Sequence, residues 1–310
     1  MKKFWSSGLK KSTFLAFLIV SLVAAGNVAA QISPASELSA AVLLEKHAAL
    51  SEALSKNQYR RPLFLESMEN SGRVSSTVYA VLASPFSTVS ATLKKPSLWC
   101  EILILHLNTK YCHANADISP SILEVNIGKK TPQSLPETFL LDFSYRVLTA
   151  STNYLAVQLH ADKGPLSTSD YRIELQAVPL AEGKTFMYLR YSYSYGLAGR
   201  LAMQTYLVTL GRGKIGFTQI AQTAQDQKPG YVGGMRGAVE RNTMRYYLAI
   251  ESYLASLKQA PEHQLNTRLQ HWFDATEEYA EQLHEVDKTS YLAMKKDEYQ
   301  RQQAIAPKAD

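Results

Sequence analysis

The 310-residue chain has none of the short signatures of common catalysis: no H-E-x-x-H, no G-x-S-x-G and no P-loop. It has only two cysteines, no internal repeat and no low-complexity linker, so one elaborated domain is expected rather than two. Its seven histidines lack metal-ligand spacing. His106 and His113 flank the cysteine segment and His160 falls on a strand; each is expected to be a surface or satisfied histidine, with no metal and no cofactor. The first thirty residues contain no acid, which leaves Lys2, Lys3, Lys10 and Lys11 uncompensated. The whole chain carries +6, but without those four lysines 29 basic residues face 27 acidic ones, and nucleic acid loses its main support as a partner. What is present, 46% hydrophobic and 19% charged residues, buries a real core and excludes disordered and collagen-like chains.

The leading lysines precede an apolar run, Thr13 to Ala25, and then Val28-Ala29-Ala30-Gln31. The run is shorter than the roughly 20 residues a membrane-spanning helix needs. Small residues at 28 and 30 suit cleavage between Ala30 and Gln31, so residues 1–30 read as a signal peptide that delivers 280 residues to the periplasm. An uncleaved anchor is the alternative. No cysteine follows the run, which excludes a lipoprotein anchor, and no later stretch is apolar enough to span. In an oxidising compartment Cys100 and Cys112 are expected to pair, worth about 3 kcal/mol in the chain-entropy model, with two buried thiols as the alternative. Disulfide-linked Cα atoms lie about 4.4–6.8 Å apart, so the chain must double back, near Leu107-Asn108-Thr109.

Along the chain, residues 35–56 predict an amphipathic helix on Leu43, His47, Leu50 and Leu54. Strands are expected at Leu63–Glu69 and Arg73–Leu82, joined by Asn70-Ser71-Gly72. Ser84-Pro85 and Pro96-Ser97 read as helix starts, with Ser84 as cap and Pro85 at the first helical position. The period then becomes two, at residues 123–127, 139–147, 155–161, 171–177 and 186–195, which predicts an antiparallel meander with one wet face. Leu197, Leu201, Met203 and Leu207 are expected to line a short helix, followed by a strand over Lys214–Ile220 and a polar loop over Gln222–Pro229. Gly234–Leu257 is the longest predicted helix, with Met235, Val239, Asn242, Tyr246, Ile250, Tyr253 and Leu257 on one stripe. Pro261 breaks it, and a charged helix over Asn266–Gln302 follows, its final third expected in solvent.

Val78-Tyr79-Ala80-Val81, Pro85-Phe86-Ser87-Thr88-Val89, Leu93 and Pro96-Ser97-Leu98-Trp99, in this order of elements, resemble the first strand and first two helices of the START-like (SRPBCC, Bet v 1-like) helix-grip superfamily. The run from Arg236 to Tyr247 resembles an uncharacterised exported bacterial branch of it. The resemblance covers about residues 73 to 258, with an insertion at 196–232. It implies an α+β fold in which a curved antiparallel sheet grips the long helix, with the grip domain at 63–260, a helical segment at 31–62 and a charged helical tail at 261–310. It also implies a cavity between sheet and helix for an apolar or amphiphilic molecule such as a lipid, sterol or quinone.

Met187, Tyr191, Tyr193 and Tyr195 on the last strand, and Tyr246, Ile250 and Tyr253 on the long helix, are the candidate lining, or else ordinary core. Arg241 and Arg245, joined by Arg236, are candidates for an anionic head group. The competing reading is a buried network in which Arg236 pairs with Glu240, and Glu174 or Asp142 supplies the acid for the other two. Gly211-Arg212-Gly213-Lys214-Ile215-Gly216 matches G-x-G-x-x-G but lacks the strand and helix of a nucleotide site, and reads as a turn. The expected function is binding or carriage of an apolar small molecule. The rivals are an envelope interaction module that docks a protein partner through the tail, and a cyclase- or hydrolase-like enzyme, given less weight because no paired acid and base is visible.

Overall fold

The computed structural model describes residues 39–115, 119–208, 213–220 and 230–305. The expected signal segment, the Ala30-Gln31 junction, Gly211-Arg212 and the whole 222–229 loop lie outside the described residues. Helices α1 (Ala40–Ala49) and α2 (Ser51–Ser55) lead into the hairpin β1 (Leu63–Asn70) and β2 (Arg73–Leu82), whose turn is closed by Gly72 at a φ of 78°. Helices α3 (Phe86–Leu93) and α4 (Pro96–Leu103) follow. Then come β3 (Thr109–Asn115), β4 (Ser121–Ile127), β5 (Phe139–Ala150), β6 (Leu155–Lys163), β7 (Thr168–Pro179) and β8 (Thr185–Tyr195). Beyond the sheet lie α5 (Leu197–Val208), the two-residue strands β9 (Gln219–Ile220) and β10 (Gly230–Tyr231), and α6 (Gly234–Ser256). The chain ends in α7 (Pro261–Glu277), α8 (Ala280–Leu283) and α9 (Lys288–Ile305).

The eight long strands form one antiparallel sheet in the order β1-β2-β8-β7-β6-β5-β4-β3. β4 to β8 are therefore the predicted meander, extended at its edge by β3, which the pattern had not shown, and β2 closes against β8 through pairs such as Val78 with Leu189 and Ala80 with Met187. One face carries Val78, Leu159, Ile173, Leu189 and Tyr191 into a core shared with α3, α4, α6 and α7. This is the helix-grip arrangement, with α6 laid against β1, β2 and β8. The other face is not simply wet. Tyr79, Tyr154, Val178 and Phe186 form a second buried cluster under Leu43 of α1 and Leu54 of α2, so the N-terminal helices cover one end of it.

Five local expectations change. Pro85 is the N-cap of α3 rather than its first residue, and no side chain caps that end. On α5 Met203 packs against the core, while Leu197 and Leu201 face outward. The strand expected over Lys214–Ile220 shrinks to two residues because the Phe217 and Thr218 N–H groups donate to the Glu240 carboxylate instead of a neighbouring strand, at 2.6 and 3.0 Å. The single tail helix is divided: His284 is extended, and Asp287 starts a new helix by accepting from the Ser290 N–H at 2.9 Å. The last third of that tail is not solvated. Tyr291, Met294, Lys295, Glu298 and Gln302 form a buried stripe at helical spacing, packed along β3.

Candidate ligand site

Cys100 and Cys112 form the expected disulfide, with Cα atoms 5.1 Å apart, and tie the end of α4 to β3. The loop between them carries His106 into the core, where it is 3% exposed. Its Nδ1 accepts from the Asn108 backbone N–H at 3.1 Å, so the neutral ring keeps its proton on Nε2. Nε2 has no hydrogen-bond partner. Burial, then the charges of Arg245, Lys295 and Lys130, hold the imidazole well below its usual pKa, outweighing the nearby Asn242 amide. His106 is thus neither a surface nor a satisfied histidine, contrary to expectation, and at neutral pH it is an uncharged donor.

From His106 a row of rings runs between helix and sheet. Tyr246 of α6 lies 5.0 Å from the imidazole, centroid to centroid, and 5.3 Å from Tyr191 of β8, which it meets edge-on. Tyr193 stands 5.9 Å beyond Tyr191 and stacks on Tyr171 of β7 at 5.2 Å. Tyr191 and Tyr193 are 5% and 4% exposed, and burial pushes the phenols of all three candidates, Tyr191, Tyr193 and Tyr246, upward. The Tyr171 hydroxyl bonds Thr168 Oγ1 at 2.7 Å, whereas the hydroxyls of Tyr191, Tyr193 and Tyr246 bond nothing among the described residues. Several other buried tyrosines are satisfied, among them Tyr145, which donates to the Leu93 carbonyl at 2.7 Å, Tyr279, to that of Tyr59 at 2.7 Å, and Tyr291, to that of Leu105 at 3.0 Å.

The other candidates lie apart from this row. Met187 and Ile250 are fully buried core residues. Tyr195 donates to Glu69 at 2.7 Å. Tyr253, two turns along α6 from Tyr246, lies under the Arg268 guanidinium at 4.7 Å. The sequence had missed Tyr171, one aromatic in an alternating strand with nothing local to single it out.

The arginines hold segments together. Arg236 donates to Ser67 Oγ at 3.1 Å and to the Ser67 carbonyl, so the expected pair with Glu240 does not form. Glu240 is fully buried and accepts from Ser67 and from Thr218 Oγ1 as well as the two backbone N–H groups, pinning the insertion to α6. Arg241 donates to the Ile215 carbonyl at 3.0 Å. Arg245 donates to the Leu283 carbonyl at 3.2 Å and pairs with Glu285 at 2.8 Å, so the acid comes from the segment between α8 and α9, not from Glu174 or Asp142. Glu285 also pairs with Lys130 at 2.5 Å and Lys214 at 3.3 Å. Burial, with Arg245 next in weight, lowers Lys130 to about 8.

No family profile and no curated protein sequence matches the chain. Solved structures with a similar fold include a point mutant of norcoclaurine synthase from Thalictrum flavum bound to a transition-state analogue, 13% identical over 46% of this chain and 89% of that one, with a TM-score of 0.33. A conserved protein from Geobacillus kaustophilus is 11% identical over 58% and 95% of the two chains, at 0.35. Human StAR-related lipid transfer protein 5 is 11% identical over 54% and 90%, at 0.31. The fold is of the helix-grip kind. That statement rests on the strand order, on the two helices between β2 and β3, and on the long helix that follows the sheet.

Proposed function

We propose that the protein is exported through residues 1–30 and binds an apolar or amphiphilic small molecule between the sheet and α6 in the periplasm. The observation that carries this reading is His106 Nε2, a buried donor with no hydrogen-bond partner, set beside the row of Tyr246, Tyr191 and Tyr193, whose hydroxyls bond nothing among the described residues. Burying such a donor unpaired costs about 1–3 kcal/mol, a cost that a core kept only for stability would avoid. A bound molecule that supplies partners removes that cost. The tail contributes support for α6 and the His106 loop: Lys295 and Lys110 meet Glu298 at 2.7 and 2.9 Å, and Lys295 also donates to the carbonyls of His106 and Thr109.

The test is native mass spectrometry of the protein purified from the periplasm of the cells that make it, followed by organic extraction. A stoichiometric small molecule that is lost from a folded Tyr246→Glu variant, on a chain beginning at Gln31, supports the reading. A chain that carries no molecule and leaves none in the extract counts against it.

A further inference from the structure

We infer that the row of donors from His106 to Tyr193 recognises the carbonyl oxygen of an otherwise apolar ligand. This rests on the cavity reading above and names the ligand's polar feature. With Nδ1 already accepting from Asn108, His106 offers Nε2–H and nothing else. Its ring lies 5.0 Å from that of Tyr246, which lies 5.3 Å from that of Tyr191, so three neighbouring rings, one carrying an N–H and two a phenolic O–H, come from three separate elements to one region. His106 and Tyr191 are more than nine-tenths buried with these groups unpartnered among the described residues.

A saturated or aromatic hydrocarbon would leave these donors unsatisfied. An ammonium-bearing ligand would face a donor-only nitrogen in the field of Arg245, Lys295 and Lys130, the same charges that disfavour protonation of His106. An anion would have to compete with Glu285, which already pairs with Arg245, Lys130 and Lys214. A carbonyl oxygen fits best: it accepts two hydrogen bonds, carries partial negative charge and remains compatible with an apolar body.

Three rigid probes of nearly one shape separate the cases: fluorene, 9-fluorenone and fluorene-9-carboxylate. Their affinities are measured by equilibrium dialysis against the wild-type protein and the Tyr191→Phe/Tyr246→Phe variant, whose rings keep the packing intact. The expected result is 9-fluorenone at least tenfold tighter than fluorene, with that advantage lost in the variant and fluorene unchanged. Equal affinity for fluorene and fluorenone overturns the carbonyl assignment and leaves the apolar-ligand reading standing. Tightest binding of the carboxylate overturns it in favour of an anionic head group. Failure of all three to bind counts against both the carbonyl assignment and the cavity reading on which it rests.

Discussion

Glu298→Gln tests how the tail is attached. Lys110, Lys295 and Glu298 are 0, 0 and 2% exposed, and the carboxylate lies 2.9 Å from one ammonium and 2.7 Å from the other. The substitution keeps the shape of the side chain but leaves two buried cations without a counter-charge. Lys295 retains the His106 and Thr109 carbonyls, while Lys110 keeps only the Met294 sulfur at 3.4 Å. Removing one partner of a buried pair costs about 3–5 kcal/mol, and a loss in that range is expected at pH 7. Burial already lowers Lys295 from 10.5 to about 8, with Glu298 opposing the shift, so its protonated form is held at a cost of about 3 kcal/mol. The folded pKa lies below the unfolded one, so the unfolded chain binds more protons in that window and stability rises with pH from about 8. Near pH 10 the slope reverses, because buried phenols such as Tyr171, raised to about 12, ionise later in the folded chain than in the unfolded one. Guanidinium unfolding followed by tryptophan fluorescence between pH 6 and 9.5 measures both effects. The wild type should gain stability above pH 8, and the deficit of the variant should narrow as its lysines discharge. A deficit under about 1 kcal/mol that is flat with pH would refute the buried triad and the docking of α9 that depends on it.

Further outcomes follow from the same contacts. Tyr191→Phe should raise the stability of the ligand-free protein by about 1 kcal/mol in denaturant titration, while Tyr145→Phe, which gives up the bond to the Leu93 carbonyl, should lower it by about as much. Replacing Cys100 and Cys112 with serine should cost about 3 kcal/mol, read as the midpoint difference that reductant produces in the wild type and fails to produce in the variant. Burial pushes the Asp170 carboxyl up, but hydrogen bonds from Arg73 and Arg172 prevail and bring it from 3.8 to about 2. Its stabilisation is therefore complete above pH 4 and lost as pH falls through 2, and Asp170→Asn should flatten that part of the acid-unfolding curve.

Much of the fold was legible in the sequence because its signals are local. The period-two runs became β4 to β8, and Asn70-Ser71-Gly72 became the turn of the first hairpin. The cysteine spacing required the reversal that brings the two Cα atoms to 5.1 Å. The errors arose where a distant partner decides. Lys295 and Glu298 look like solvated charges until Lys110, 188 residues before Glu298, is brought against the carboxylate. Arg245 found its acid in Glu285, on a segment that the sequence reading had absorbed into one continuous helix. Glu240, expected to pair one turn back with Arg236, instead holds backbone more than twenty residues away.

The ligand site marks a sharper boundary, since pattern alone does not separate a lining aromatic from a core one. Tyr246 and Tyr291 are both tyrosines on amphipathic helices, and each packs against other rings. Tyr291 is fully buried and reaches the Leu105 carbonyl, whereas Tyr246 is half-buried and reaches no group among the described residues. That acceptor belongs to the turn after α4, which the disulfide and Lys295 hold in place together with His106. A single short loop thus satisfies the tyrosine of the supporting tail and sets an unsatisfied imidazole beside the tyrosine of the grip helix. The buried, unpartnered imidazole that this turn sets beside Tyr246 is the physical reason to look for a ligand there.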